Sequence, residues 1–238
     1  MGYCSRSRAA VLIRAGRVTR NGRVVRDPES PVRMPDGRIG DDDRIDDRIE
    51  VDGSPIDKTP AIYLVMNKPR GVVTTASDER GRETVYDLLE PGLPWLGPVG
   101  RLDKASEGLL LLTNDSEWAA MIAEPSRHLD KKYHVQVDCV ADAGLLARIR
   151  RGPTVDGKQL CAKEALLLRH GDKNSWLQIT LDEGKNRQIR RLLEALGVGV
   201  LRLVRVSIGP LELGDLKKGA VRRLTPEEKQ AIDWALQG

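Results

Sequence analysis

A chain of 238 residues has room for one large domain or for a small module ahead of a larger one, and 40% hydrophobic residues suffice for a core. With aromatics at 3% and no Phe, aliphatic side chains must fill that core. A formal charge of +4 is too mild to mark a polyanion partner by itself, so the distribution of charge carries the information.

Residues 1–26 hold seven arginines (Arg6, Arg8, Arg14, Arg17, Arg20, Arg23 and Arg26) and no acidic residue. Ser5 can cap a short helix with Ala9, Leu12 and Ile13 on its apolar side, and Gly16 can end it. Val18 to Val25 then reads as a tight hairpin, with Asn21-Gly22 supplying the left-handed turn. So many like charges repel one another, and an anion such as RNA or DNA would offset them. Asp41-Asp42-Asp43 and Asp46-Asp47 form an acidic block. Lacking the glycine and distal glutamate of a calcium loop, that block reads as solvated rather than metal-binding. Residues 55–60, with Pro55, Lys58, Thr59 and Pro60, read as a linker between a module at 1–54 and a domain at 61–238.

From Ala61 onward strand and helix signals alternate. Ile62–Met66 predicts a buried strand and Thr84–Leu89 a short helix. Leu109–Leu112 is a continuous apolar run ended by Thr113-Asn114-Asp115, the pattern of a strand covered on both faces. Tyr133–Val137 and Trp176–Leu181 alternate as half-buried strands. Leu145–Arg151 has helical character, and Ile189, Leu192, Leu193 and Leu196 share one helical face. Thr225-Pro226-Glu227-Glu228 is a capping box with Pro in the first turn. The expected class is α+β, with a mixed, largely antiparallel sheet in the larger domain and a small N-terminal α/β module.

Gly100-Arg101-Leu102-Asp103-Lys104-Ala105-Ser106-Glu107-Gly108 joins a Gly/Pro-containing loop to the buried strand and crowds charge into it. A polar cluster on a hydrophobic strand is how a rigid scaffold presents reactive groups. On residue chemistry alone Asp103 has three readings: a catalytic carboxylate, a structural ion pair with Arg101, or a turn-stabilising Asp. Cys4, Cys139 and Cys161 are odd in number and far apart, with no metal-ligand spacing. No run reaches the ~20 apolar residues that span a bilayer, and the N-terminus lacks the apolar core of a signal peptide. A cytoplasmic protein with neither metal nor membrane contact is expected.

The string from Gly100 through Leu109–Leu112 to Thr113-Asn114-Asp115 resembles the signature of the Rsu-type rRNA pseudouridine synthases. Met66-Asn67-Lys68-Pro69-Arg70-Gly71, Gly81–Asp87, Lys131–Val135, Glu183–Arg191 and Leu201–Leu211 resemble further motifs of that family in the same order. Cys4–Arg6, Ala9–Arg17, Val18–Val25 and Asp46–Gly53 resemble an S4-like RNA-binding module. Its usual opening helix is missing, and Asp27–Asp47 is longer and more acidic than the usual connection. Either the module is shortened or it starts upstream of Met1.

The resemblance implies a cofactor-free isomerisation in which uracil leaves its ribose, turns, and rejoins through carbon five. Asp103 corresponds to the catalytic aspartate, Arg190 to its basic partner, and Tyr133 to the tyrosine that stacks on the target base. Leu203 would wall the pocket. Arg101, Lys68, Arg70, Arg187 and Arg191 are read as substrate contacts, chiefly to phosphate. Arg6, Arg8, Arg14, Arg17, Arg20 and Arg23 are read as the module's RNA contacts. Ribosomal RNA or a pre-ribosomal particle is the implied partner, and a monomer the implied state. Two rivals remain: a non-catalytic RNA-binding or ribosome-assembly factor of the same fold, and a metal-dependent nuclease using Asp103 with the acidic block.

Overall fold

The structure, a computed structural model, describes residues 3–32, 47–56, 59–76 and 78–237. The acidic stretch Asp41 to Asp46 lies outside the described residues. The chain divides into two compact units, Met1–Ala61 with Gly92–Gly97, and Ile62–Pro91 with Pro98–Gly238.

In the first unit α1 (Arg6–Arg14) starts where Ser5 accepts a hydrogen bond from Arg8 N at 3.1 Å. Strands β1 (Val18–Arg20) and β2 (Arg23–Val25) form the expected hairpin, with Asn21 and Gly22 both at positive φ as its turn requires. β3 (Ile49–Val51) pairs with the other edge of β1, and β4 (Ser54–Pro55) follows it in the order β2-β1-β3-β4. Leu12, Val18, Ile49 and Val51 make a small core. Arg17 donates to Asp52 through Nε and Nη2, one edge of its guanidinium, and Arg20 donates to the Pro31 carbonyl. These two arginines are thus already engaged within the unit. Arg6, Arg8, Arg14 and Arg23 are exposed, with no carboxylate partner among the described residues.

The second unit contains, in chain order, β5 (Tyr63–Lys68), β6 (Gly97–Val99), β7 (Glu107–Thr113), α2 (Ser116–Ala123), β8 (Lys131–Val137) and α3 (Ala143–Arg151), with β6 reaching its boundary. The hairpin β9 (Thr154–Val155) and β10 (Lys158–Gln159) leads to β11 (Glu164–His170), β12 (Ser175–Leu181) and α4 (Gln188–Ala195). β13 (Val200–Ile208), β14 (Leu211–Glu212), β15 (Val221–Arg223) and α5 (Pro226–Ala235) complete it. The sheet runs β11-β12-β8-β13-β7-β5-β15, and every pairing on this path is antiparallel except that of β13 with β7. This is the mixed, largely antiparallel α+β architecture expected.

Alternation sorts the side chains. Val135, Val137, Leu177, Ile179 and Leu203 share a core with Leu145, Ile149, Leu192 and Leu193 of α3 and α4. Val65, Leu109, Leu111 and Ile208 pack with Trp118, Ile122 and Ile232 of α2 and α5. All seven residues of β7 are buried, as its continuous apolar run requires. The parallel contact of β13 with β7 spans only Val204↔Glu107 and Arg205↔Gly108. Gly108 has φ +103°, and a Cβ there would fall 2.2 Å from the Arg205 carbonyl oxygen, so only glycine lets the strands meet.

Candidate active site

The Asp103 loop is held from behind by the last residue of β5 and the turn that follows it. Lys68, 0% exposed, donates through Nζ to the carbonyls of Pro69 (3.0 Å), Asp103 (3.2 Å) and Ser106 (2.9 Å). Gly71 N donates to Lys104 O at 2.8 Å, and Ser106 N closes a turn on Asp103 O at 2.9 Å. Burial draws the Lys68 pKa down to about 8 against the opposing pull of Asp103 and Glu107. A fully enclosed ammonium with three carbonyl acceptors cannot reach phosphate. Its reading as a substrate contact is corrected: Lys68 positions the loop.

The Asp103 carboxylate, about one-third exposed, faces Arg187, whose Nη1 lies 3.5 Å from Oδ2. Arg187 sits at the N-cap of α4 with φ 49° and ψ 31°. Among the described residues the other non-glycine residues at positive φ are Asn21, Asp52, His128 and Asp156, types that tolerate this region. Arg187 is the exception, and a strained residue held against a carboxylate is a mark of a functional site. Gln188 fixes the approach, donating to Cys161 O (3.1 Å) and Glu183 Oε1 (2.6 Å) and accepting from Lys185 N (3.2 Å).

Arg190, expected to pair with Asp103, instead donates to the Ala105 carbonyl at 3.0 Å and is not within ion-pair distance of the carboxylate. Its position one helical step further along α4 reaches the loop backbone, whereas Arg187 at the cap reaches the side chain. Burial lowers the Arg190 pKa, neighbouring Arg187 and Arg70 lower it further, and Asp103 opposes them. Three guanidiniums, those of Arg70, Arg187 and Arg190, thus share one neighbourhood with one carboxylate. The pairing of Asp103 with Arg101 is not formed: Arg101 is exposed and without a carboxylate partner among the described residues.

Tyr133 on β8 is half-buried against the α3/α4 core and sits opposite Arg205, which itself pairs with Gly108 of β7. Two strand spacings therefore separate Tyr133 from the strand that follows Asp103, about 10 Å. Leu203 is 7% exposed and belongs to the core beneath α4, so little of it is left to wall a pocket. Arg191 is engaged by Asp156 at 2.7 Å. Of the C-terminal basic residues, Lys218 binds Glu107 and Arg222 binds Glu228.

Sequence reasoning missed Glu107, Arg202 and Arg205. Glu107 is 1% exposed; burial alone would raise its pKa, but Arg202 (3.1 and 3.0 Å) and Lys218 (2.5 Å) hold it below its ordinary value. Buried Arg205 donates to Leu109 O at 2.7 Å. Ser106 Oγ, Arg190 Nε and Arg205 Nη2 are buried polar atoms without a partner, and all three lie on or against the segment from Asp103 to Leu109. Such atoms are rare in native proteins and mark strain, an ordered water or ion, or a catalytic role.

Residues 62–195 match the family described as RNA pseudouridylate synthase, and residues 1–38 match the S4 domain. The chain belongs to the RNA pseudouridylate synthase family. It is 38% identical to the ribosomal large subunit pseudouridine synthase B of Bacillus subtilis, over 97% of this chain and 91% of that one. It is 36% identical to an uncharacterized RNA pseudouridine synthase of Rickettsia prowazekii, over 97% of this chain and 94% of the relative. A crystal structure of a pseudouridylate synthase superposes with a TM-score of 0.66 at 29% identity, covering 96% of this chain and 94% of that one. The synthase therefore isomerises uridine to pseudouridine in RNA. No helix among its described residues is long and apolar enough to cross a membrane.

Proposed function

We propose that this synthase isomerises a specific uridine of ribosomal RNA, with Asp103 as the reacting carboxylate. One observation carries the assignment: a single carboxylate, its backbone clamped by Lys68, stands among Arg70, Arg187 and Arg190. Excess positive charge around one anion suits a site that admits a phosphodiester chain without losing the ionised acid. The uridine must leave its stack to reach Asp103. The carboxylate then attacks the ribose or takes a proton from it, and the glycosidic bond breaks with its electron pair going to uracil. The freed ring turns and carbon five bonds to the sugar, displacing the Asp103 carboxylate in the first route or adding to the unsaturated sugar as Asp103 returns its proton in the second. The carbon-five proton is released and N1 takes up a proton, so atoms and electrons balance and Asp103 is regenerated. Tyr133 stacks on the turning base. Residues 61–238 carry this chemistry, and residues 1–54 form an RNA-docking module, in a protein that works as a cytoplasmic monomer. The S4 match and the ribosomal name of the Bacillus subtilis relative support ribosomal RNA as substrate. Mapping pseudouridines in transcribed rRNA incubated with the enzyme tests this, and an unchanged map would defeat it.

The module makes its own prediction. Replacing Arg6, Arg8, Arg14 and Arg23 with Ser removes four exposed cations and leaves the Arg17–Asp52 pair intact. Each lost phosphate contact should flatten log affinity against log salt by about 0.7–0.9. A salt slope equal to that of wild type would remove these residues from the RNA interface.

Arg187 and Arg190 should separate by what their loss disturbs. Arg187→Met removes the cation 3.5 Å from the Asp103 carboxylate and leaves the loop backbone bonded, so activity should fall with the thermal midpoint unchanged. Arg190→Met unpairs the Ala105 carbonyl and should lower the thermal midpoint together with activity. Identical midpoints for both variants would dissolve the distinction.

A further inference from the structure

The isomerisation as read above leaves unused most of the walls of a cleft that opens at Asp103. A cleft of about 430 Å³ is lined by Val73 to Thr75, Asp78 to Arg80 and Arg82 on one side and Arg101 to Asp103 on the other. Tyr133, Arg190 and Leu203 are not among its lining residues. The sheet order β8-β13-β7-β5 explains the separation: Tyr133 lies on one flank of β7, and the segment after β5 lies on the other. Asp103, just before β7, stands at the edge of this cleft, with Tyr133 on the other flank of β7.

The cleft wall is built in advance. Val73 N donates to Glu83 O (2.9 Å) and Val85 N to Val73 O (3.0 Å), closing the base of the loop. At its tip Asp78 accepts from Arg80 N (3.1 Å), Arg82 N (2.9 Å), Arg82 Nε (3.0 Å) and Arg82 Nη2 (2.5 Å). Those bonds hold the Asp78 carboxyl far below the usual range and leave its side chain 6% exposed. Thr74 Oγ1 donates to Leu102 O at 2.8 Å, fastening the wall to the Asp103 loop. Asp78 and Arg82 neutralise each other, so Arg80 and Arg101 are the cations left over, both exposed and without a carboxylate partner among the described residues. Glu79 is the remaining exposed acid at the rim.

We propose that this cleft is a subsite for the unpaired RNA nucleotide adjoining the target uridine, with Arg80 on its phosphate and Thr74, Asp78 and Arg82 around its base. The proposal rests on the reading of Asp103 given above and deepens it. The volume falls within the range of about 300–1,000 Å³ usual for small-ligand sites. Sequence-specific RNA recognition reads splayed-out bases rather than the deep groove of a duplex. A neighbour held in this cleft would keep the strand open while the uracil turns, and would let the enzyme select a uridine by what stands beside it.

The test uses the full-length enzyme and a transcribed rRNA fragment carrying its mapped target, with intact neighbours or with an abasic nucleotide on the 5′ or the 3′ side. Arg80 is exposed and bonded through its backbone alone, so Arg80→Ala should fold; Asp78→Asn loosens the wall, and its thermal midpoint is checked beside wild type. On intact RNA, Arg80→Ala should lower kcat/KM about tenfold through KM, the size of a lost charge-assisted contact. An abasic nucleotide on one side should cost wild type a similar factor and cost Asp78→Asn clearly less. Equal losses for wild type and both variants, or no loss at either abasic position, would overturn the subsite while leaving the assignment of Asp103 standing. Absence of pseudouridine from the intact fragment with wild type would overturn both.

Discussion

Asp103→Asn should leave a folded, RNA-binding protein that forms no pseudouridine, a loss of at least about 10³-fold. The amide keeps the volume of the carboxylate but can neither attack the sugar nor accept its proton at neutral pH. Folding should be spared, because the carboxylate's one side-chain contact is the long 3.5 Å approach of Arg187, and the loop is fixed by the Asp103 carbonyl, which the substitution retains. Affinity should stay within a few-fold, since Arg70, Arg187 and Arg190 remain. Chromatography of nucleosides from digested RNA measures the product, and titration of labelled RNA measures binding. Residual turnover near the wild-type rate would remove Asp103 from the chemistry. Lost affinity with lost turnover would make it a structural residue instead.

Lys68→Met is expected to be the most costly change to stability outside the apolar core. Three loop carbonyls would lose their donor, each worth about 1–3 kcal/mol when left unsatisfied, offset in part by removal of a buried charge. The net cost should be about 2–4 kcal/mol at neutral pH, with activity falling as the Asp103 backbone loosens. The pH dependence has a definite sign. The folded-state pKa of about 8 lies below the ordinary 10.5, so the folded chain releases this proton first. Between those values the unfolded chain holds more protons, and the Lys68 contribution to stability rises with pH through the window. Below pH 8 both states are protonated and the burial penalty stands in full. Urea midpoints of wild type and Lys68→Met at pH 7 and pH 9 should therefore diverge, and converging midpoints would contradict the buried position of the amine.

Much of this was legible in the sequence wherever one physical rule dominated. The hairpin turn at Asn21-Gly22, the cap at Thr225, the doubly covered β7 and the apolar face of α4 follow from backbone freedom, capping and periodicity. β11 was not legible: Leu166, Leu167 and Leu168 are consecutive and exposed, and a bulge before Arg169 breaks the alternation. In the site, residue types pointed to the right segments but not to the right partners. Arg187 and Arg190 lie three residues apart on one helix, and only the left-handed cap conformation of Arg187 decides which of them meets Asp103. Lys68 looked like a phosphate ligand because nothing in its neighbourhood reveals that the turn after β5 folds over it. Glu107 could have been found: a lone acid opening an apolar run demands buried cations, which Arg202 and Lys218 supply from about a hundred residues away.

The glycine seam at Gly108 sets an order of assembly. Within the two halves of the sheet that it joins, β8 pairs with β12 and β5 with β7 between strands much closer in sequence, whereas β13 meets β7 across nearly a hundred residues through two register pairs. Closing that long loop costs more entropy than forming either group of strands, and its short contact repays little until both are in place. The carboxylate precedes one side of the seam, while Arg187 and Arg190 come from the chain that leads into the other. A chain still folding thus carries the acid and its arginines apart, and the charges of the site meet only when the two halves of the sheet are joined at this seam.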